Sequence, residues 1–340
     1  MLVSVIIPVY NAQEYLEECV RSVMKQTLRD LEIICIDDGS TDGSPDILSR
    51  LAKEDHRVIV HRVPNGGAGA ARNIGMQLAG GKYFSFLDAD DFFAPYMLEK
   101  LCEKAEKDHA QITLCEADLY DHKRECYLPC RHALKKHLLP QHRPFAAQDI
   151  QKDIFKTVIG WPWDKLFLAS YIRQIGLQFQ EQRTTNDAFF VFSSLVRAQK
   201  ITVVESVLVH HRKYAGMTLS VTREKSWMCF YQMLVRLREQ LQEWSLYERF
   251  KQDFINYALH FSLWNLQTLN RETQQLLYDR LKEEWLENLG ITEEKKEFFY
   301  SKSEYLQMQL ILRKPYTRWV SLLIKAFYAG SLLRHLFMGT

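Results

Sequence analysis

Short apolar runs alternate with amphipathic segments through the first third of the chain. Val3–Val9 is a largely β-branched run, and Leu31–Ile36, Val58–Val63 and Tyr83–Leu87 are similar apolar runs, so we predict four buried strands. Between them, apolar residues recur every three or four positions, which predicts helices. This alternation with short crossovers predicts a parallel, doubly wound α/β sheet. In such sheets, ligands bind beyond the carboxyl ends of the strands.

The pattern changes twice further along the chain. Residues 118–150 are basic and rich in histidine, and residues 150–215 carry a predicted helix at 187–199 and a strand at 201–209. From Ser226 onward the periodicity is helical. We therefore predict an α/β domain followed by a mainly helical region, with the boundary near residue 220.

Composition excludes several classes of protein. The 340 residues carry a formal charge of +2, are 47% hydrophobic and 25% charged, and so fit neither a nucleic-acid binder with a basic field nor a disordered chain. The sequence contains no run of 18 apolar residues and no secretory signal pattern at its N-terminus. The seven cysteines are scattered, which favours reduced thiols and a cytoplasmic location.

Two turns carry residue types with ligand-binding chemistry. Asp88–Asp91 (DADD) directly follows a predicted strand, and crowded carboxylates at a strand end need a compensating cation such as Mg²⁺ or Mn²⁺. The glycine-rich segment 65–73 allows close backbone approach to a phosphate at a helix N-terminus. The alternatives are an acidic turn that caps the next helix and a glycine turn that serves tight packing.

Four motifs together resemble family 2 glycosyltransferases of the GT-A fold. They occur in the expected order and spacing, at Ser4–Asn11, Asp37–Asp42, Gly69–Gly75 and Asp88–Asp91. The resemblance is close over residues 1–115 and looser over 160–220. It implies a GT-A domain at 1–220, with a nucleotide-sugar half at 1–115 and an acceptor half at 116–220, and a helical C-terminal region at 221–340.

The resemblance implies a nucleotide-sugar donor, most often a UDP-sugar, and assigns roles to residues that match its motifs. Pro8 and Tyr10 would lie against the nucleotide, with Tyr10 stacking on the base. Asp38 would accept a hydrogen bond from the base edge. Arg72 would approach the base or the diphosphate, and Asp88 would face the ribose or the sugar.

The same resemblance places a divalent cation, Mn²⁺ or Mg²⁺, on Asp90. Asp91 matches an additional acid that is common after this motif and receives less weight. The family can supply a further metal or diphosphate contact after the last strand of the domain. We assign that contact to His210, with His211 as the alternative.

An inverting transfer needs a carboxylate that accepts the proton of the acceptor hydroxyl. By resemblance this is Asp187, although Asn186 replaces the glutamate that usually precedes it. The alternative role for Asp187 is to cap helix 187–199. The segment Trp161–Phe167 resembles an element near the sugar and acceptor, where Trp163 would stack on a sugar or simply pack in the core. Asp164 would bind hydroxyls and is the second choice for the base.

The basic segment 122–143 holds four histidines, six lysines or arginines and one glutamate. We interpret it as an acceptor-side loop suited to an acidic or pyrophosphate-bearing acceptor. Cys126 and Cys130 raise the alternative of a zinc site, but their spacing relative to the histidines is irregular.

The tail, 305–340, contains no Asp or Glu and mixes cations with aromatic and aliphatic residues. This composition is typical of an interfacial helix on anionic lipid, and the alternatives are a packing helix or a dimer contact. Arg318-Trp319 resembles part of an element found in processive synthases, but Pro315 stands where a glutamine is expected. We therefore predict no processivity.

The sequence thus predicts a metal-dependent, inverting, nonprocessive glycosyltransferase. It would act in the cytoplasm, peripherally at the inner face of the cell membrane, and transfer one sugar to a glycan or lipid-linked acceptor during surface polysaccharide or glycolipid assembly. Two alternatives stay open: an inactive sugar-nucleotide or glycan-binding protein, motivated by Asn186, and a nucleotidyltransferase, which would release pyrophosphate.

Overall fold

A computed structural model describes residues 1–213 and 224–327 of the chain. The chain divides into two compact units, Met1–Thr218 and Leu219–Thr340.

Over residues 1–213, the first unit is built on a mixed sheet of nine strands. Their bounds are β1 Val3–Val9, β2 Leu31–Asp37, β3 Val58–Arg62, β4 Tyr83–Phe86, β5 Phe92–Phe93, β6 Ile112–Asp121, β7 Cys126–Pro129, β8 Lys165–Leu168 and β9 Ile201–Lys213. The four apolar runs read from the sequence are β1 to β4. The α/β prediction is confirmed.

The strand order is β3-β2-β1-β4-β8-β6-β9-β5, and β7 pairs with the far end of β6. Strands β1 to β4 are parallel as predicted, and β6 pairs with β9 in parallel. However, β8 is antiparallel to β4 and β6, and β5 and β7 are also antiparallel to their neighbours. The prediction of a parallel sheet therefore fails at β5, β7 and β8, which are short strands whose few residues give no pairing signal.

Helices cover the sheet, and their bounds are α1 Leu16–Met24, α2 Ser44–Glu54, α3 Ala68–Leu78, α4 Met97–Asp108, α5 Ile154–Thr157, α6 Ala169–Ile175 and α7 Asn186–Arg197. The apolar face predicted for the first helix is buried, with Leu16, Cys19, Val20 and Val23 inaccessible to solvent. These side chains join β1 and β2 in one core cluster. Removing such apolar area from water is the main favourable contribution to the stability of this layer.

The second unit is helical, as the periodicity after Ser226 predicts. Its helices are α8 Cys229–Glu243, α9 Tyr247–Thr268, α10 Arg271–Arg280, α11 Leu286–Asn288 and α12 Lys302–Arg313, followed by a helical segment at 318–327. The rings of Tyr231 and Trp285 stack in this unit at 4.0 Å between centroids. No helix within 1–213 or 224–327 combines the length and apolarity that a membrane crossing requires.

Candidate active site

The acidic turn lies at the carboxyl end of β4, between that strand and β5. Ligand oxygens of Asp88, Asp90 and Asp91 lie within 4.8 Å of one another. Asp91 is fully buried, whereas Asp88 and Asp90 are partly exposed. A ligand that arrives from solvent can therefore reach Asp88 and Asp90.

The electrostatics of this turn fit a divalent cation. Burial, together with the neighbouring charges of Asp91 and Asp88, raises the pKa of Asp90 to about 7. Burial also raises the pKa of Asp91. Carboxylate oxygens are the hard ligands that Mg²⁺ and Mn²⁺ prefer, and a bound cation would relieve the repulsion among these groups.

The glycine-rich turn before α3 is fixed by Asp38, at the end of β2. The Asp38 carboxylate accepts hydrogen bonds from the backbone N–H groups of Gly66 at 2.7 Å and Gly67 at 2.9 Å. Gly67 has φ +87°, a conformation that L side chains rarely adopt. Asp38 therefore sets the shape of this turn, in addition to any contact with a nucleotide.

Arg72, on α3, connects the acidic turn to the start of α7. Its Nη2 lies 2.6 Å from Asp88 Oδ1, and its Nη1 donates to Asn186 Oδ1 at 2.9 Å. The arginine is only 4% exposed, so the guanidinium is held firmly between these two partners. Two motifs that lie 114 residues apart in sequence, at Arg72 and Asn186, thus meet directly.

The beginning of α7 is fixed by close contacts with α3 and β4. Asn73 Nδ2 donates to the carbonyl oxygen of Phe179 at 3.0 Å, and Phe179 N donates back to Asn73 Oδ1 at 2.8 Å. The rings of Phe179 and Phe190 stack at 4.0 Å, and both pack on Phe86 of β4. A Cβ at Gly69 would lie 2.1 Å from the backbone oxygen of Gln180, in the segment that leads into α7, so only glycine fits there.

Asp187 is the second residue of α7, directly after Asn186. Its Oδ1 accepts a hydrogen bond from Ala188 N at 2.8 Å, a contact within the first turn of α7, whose N-cap position is Thr185 and not Asp187. Burial raises the pKa of Asp187; Arg72 opposes the shift and Asp88 adds to it. These two electrostatic partners place Asp187 in the same group of charges as the acidic turn.

Pro8 and Tyr10 lie at the end of β1, at the same edge of the parallel sheet as the ends of β2 and β4. Tyr10 is 53% exposed and Pro8 is partly exposed. A large aromatic ring open to solvent at this edge can stack on a planar ligand.

The two neighbouring histidines of β9 face different partners. His210 Nδ1 lies 2.7 Å from Asp118 of β6, and its ring packs against Phe92. His211 Nδ1 lies 3.0 Å from both carboxylate oxygens of Asp91. The structure thus brings His211, rather than His210, to the acidic turn.

His211 is also stacked on a buried tryptophan. Trp163 is 1% exposed and lies parallel to the His211 ring at 5.2 Å. Trp161 is partly exposed, and its ring stacks on Trp163 at 4.7 Å and lies 5.6 Å from the His211 ring. Trp163 therefore packs in the core, and Trp161 is the tryptophan that a sugar could contact.

Asp164 is 2% exposed and forms an ion pair with the fully buried Lys165. The same ammonium also donates to the carbonyl oxygens of Ile159 and Trp161, so Lys165 fixes the loop that carries both tryptophans. Burial raises the pKa of Asp164, but the carboxylate is closed to solvent and occupied by Lys165, so the structure gives no support for Asp164 as the second choice for the base.

The basic segment after β6 gives no support for zinc. Cys130 Sγ lies 3.5 Å from His132 Nε2, but Cys126 does not join them in a three-ligand group. Within residues 1–213 and 224–327, the three aspartates of the acidic turn form the one cluster with metal-ligand geometry.

Sequence reasoning assigned no function to two residues that shape this site. Asn73 holds the Phe179 backbone, and Arg212 contacts the acidic turn from β9. The first could have been found from its place in the Gly69–Gly75 motif. The second is one cation among several in a basic stretch, and only the strand pairing reveals its partners.

The fold and the site define a GT-A-type α/β protein with an acidic turn at the carboxyl end of its parallel strands. The family model for glycosyl transferase family 2 matches residues 4–176, just over half of the chain. The chain therefore belongs to the family 2 glycosyltransferases.

Two relatives and one solved structure extend this finding. The glycosyltransferase EpsJ of Bacillus subtilis is 32% identical over 62% of this chain, and the match covers 61% of EpsJ. The poly(ribitol-phosphate) beta-glucosyltransferase of Bacillus spizizenii is 31% identical over 60% of this chain and 31% of that enzyme. S. aureus TarS 1–349 in complex with UDP-GlcNAc has a TM-score of 0.74 at 19% identity, covering 97% of this chain and 92% of TarS. That likeness shows the same fold.

Proposed function

We propose that this glycosyltransferase is metal-dependent, inverting and nonprocessive, and that it moves one sugar from a UDP-sugar to a glycan or lipid-linked acceptor. The observation that carries the proposal is the meeting of the acidic turn, Arg72 and Asp187 at one edge of the sheet. We place the catalytic domain at residues 1–220, with donor contacts in 1–115 and acceptor contacts in 116–220.

The donor would lie along the carboxyl ends of β1, β2 and β4. Exposed Tyr10 suits stacking on the base, and Pro8 borders the same edge. The Asp38 carboxylate retains lone pairs beyond those used by Gly66 and Gly67, so it can still accept a hydrogen bond from the base edge. The UDP-GlcNAc complex of TarS, which shares this fold, supports a UDP-sugar as the donor.

Asp90 would hold the metal, with Asp88 beside it facing the ribose or the sugar. Mn²⁺ or Mg²⁺ bound there would supply electrostatic stabilisation of the negative charge that grows on the departing diphosphate. Asp91 is buried against His211 and would support the turn rather than bind the metal. We assign no metal contact to His210, because the group of possible metal ligands at the acidic turn, Asp88, Asp90 and Asp91, does not include it.

Asp187 would act as the general base. Its carboxylate accepts the proton of the acceptor hydroxyl, whose oxygen bonds to the anomeric carbon of the sugar. The bond from that carbon to the diphosphate oxygen breaks on the opposite face, which inverts the anomeric centre and releases the nucleoside diphosphate. Oδ1 of Asp187 is already bound to Ala188 N, so Oδ2 is the oxygen that we assign to the proton transfer.

A donor assay tests this function. The full chain is incubated with individual nucleotide sugars and Mn²⁺, and release of nucleoside diphosphate and pyrophosphate is measured in parallel. We expect slow release of nucleoside diphosphate, which chelation stops and Mn²⁺ restores. Binding of donor without turnover would favour an inactive sugar-nucleotide-binding protein, and release of pyrophosphate would favour a nucleotidyltransferase.

We further propose a cytoplasmic location with peripheral attachment to the membrane through the second unit. In the helical segment 318–327, Trp319 is 70% and Leu322 is 53% exposed, and the basic residues Arg318 and Lys325 are also exposed. Apolar and cationic groups on one exposed face suit an anionic lipid surface. The tail beyond residue 327 lies outside the described residues.

Vesicle flotation tests this attachment. Truncation after residue 304 would remove Ile311 and Ile324, which are buried, so point variants are the cleaner test. We expect the double variant Trp319→Gln/Leu322→Gln to lose binding to anionic vesicles, while Leu276→Gln, which changes a leucine that is 52% exposed on α10, retains it. Equal binding by all three proteins would refute the proposal.

A further inference from the structure

Arg212, near the end of β9, is a buried cation next to the acidic turn. Its side chain is 2% exposed. Nε donates to the carbonyl oxygen of Asp90 at 2.9 Å, and Nη2 donates to Glu18 Oε2 at 2.7 Å. The guanidinium carbon lies 4.5 Å from the ring centroid of Tyr15 and 5.0 Å from that of Phe92. These contacts fix the guanidinium in one position.

The backbone of the same residue holds the next position of the turn. Arg212 N donates to Asp91 Oδ1 at 2.8 Å, and His211 lies against the same carboxylate. β5, which follows the turn, pairs with β9 through Phe92 and His210. Two consecutive turn residues, Asp90 and Asp91, are thus bound by one residue of β9.

We infer that Arg212 is a positioning residue that fixes the metal-binding turn through the Asp90 peptide. This inference rests on the proposed metal site at Asp90. An arginine suits the task because its planar fork reaches two acceptors at once, here the Asp90 carbonyl and the Glu18 carboxylate. A lysine in its place would keep the positive charge near the two aromatic rings. It would lose the simultaneous hydrogen bonds to the Asp90 carbonyl and the Glu18 carboxylate.

The first unit offers a matched control in Arg57. This arginine also donates to a backbone carbonyl, that of Met24, at 2.7 Å and pairs with Asp55. It lies just before β3, at the opposite end of that strand from the glycine-rich turn. Arg57→Met therefore removes an arginine with the same kinds of contact without touching the acidic turn.

The test compares Arg212→Met, Arg212→Lys, Glu18→Ala and Arg57→Met in the full chain. The dissociation constant of Mn²⁺ in the presence of UDP is measured from the electron paramagnetic resonance of free Mn²⁺, and the melting temperature is recorded for each protein. We expect Arg212→Met to weaken Mn²⁺ binding by about 10- to 100-fold, the range for lost outer-shell partners, with Arg212→Lys in between. Arg57→Met should lower only the melting temperature.

Folded Arg212→Met with unchanged Mn²⁺ affinity would overturn the inference, as would an equal loss of affinity in Arg57→Met. If Arg212→Met does not fold, Arg212→Lys and Glu18→Ala decide, because Glu18 is 58% exposed and its removal leaves the core intact. Unchanged affinity in both would also overturn it. Asp90→Asn tests the metal site separately from the role of Arg212. Retained Mn²⁺ binding in that variant would contradict the metal site itself.

Discussion

Replacing Asp187 by asparagine separates proton transfer from the local hydrogen bond in the first turn of α7. Asparagine has nearly the same size, and its side-chain oxygen can still accept the 2.8 Å hydrogen bond from Ala188 N. Because asparagine keeps this hydrogen bond and removes a carboxylate whose pKa is raised by burial, we expect the melting temperature to be no lower than that of the wild type. The change removes the negative charge and with it the ability to accept a proton.

General-base catalysis contributes about 10²- to 10⁴-fold to a rate, so transfer should fall by that order. This corresponds to about 2.7–5.4 kcal/mol in activation free energy. Donor affinity should hardly change. The assay measures sugar transfer, UDP affinity and melting temperature side by side, with Glu99→Gln as the control, since it also converts a carboxylate to an amide in the first turn of a helix.

The pH profile gives an independent signature. Burial raises the pKa of Asp187, so the acid limb of kcat/KM should lie above the range near pH 4 where exposed aspartates titrate. The limb should disappear in Asp187→Asn. The companion variant Asn186→Glu should remain active, with its acid limb displaced to higher pH by the added carboxylate. Undiminished transfer by Asp187→Asn would refute the assignment of the base.

Three further outcomes are expected. Asp90→Asn should abolish Mn²⁺-dependent UDP binding and raise the melting temperature of the metal-free protein at pH 8, because the pKa of Asp90 is raised to about 7 by burial and repulsion; calorimetry measures both. Despite burial, the hydrogen bond with Asp91 raises the pKa of His211 to about 9. The contribution of protonated His211 to the stability of the fold is therefore complete below about pH 6.5, the ordinary pKa of histidine, and is lost as pH rises through 9. The melting-temperature difference between wild type and His211→Gln should shrink over that range. Phe190→Ala should lower the free energy of unfolding by about 3–5 kcal/mol in urea titrations and reduce transfer, because it loosens α7.

Sequence reasoning found the elements whose signal is local. The runs that form β1, β2 and β4 are largely apolar because these strands lie inside a covered sheet, and the polar turns after them meet at one edge. The prediction of a buried strand is wrong for β3, which is the edge strand of the sheet and is mostly exposed. Tyr10, Asp38 and Asp88 lie at this edge, and the resemblance of their motifs to the family assigned them their roles. The roles given to them remain predictions.

The sequence does not show on which face of the sheet each residue of β9 lies. The pairing of β6 with β9 shifts register between Cys115 and Ala117, so the simple alternation of faces breaks before His210 and His211. The bulge aims His210 at Asp118 and His211 at Asp91. Which histidine meets the acidic turn thus depends on a long-range pairing that no local pattern encodes.

Asn186 fits the charge balance of the site. Arg72 supplies a buried positive charge between Asp88 and the start of α7, and it opposes the pKa rise at Asp187. A glutamate at 186 would compete for the same guanidinium and add a negative charge beside Asp187. With asparagine there, Arg72 forms a hydrogen bond with a neutral amide. Less of its positive charge is then neutralised, and it stabilises the ionised Asp187 more strongly. The departure from the usual glutamate therefore favours the ionised form of Asp187, the form that a general base requires.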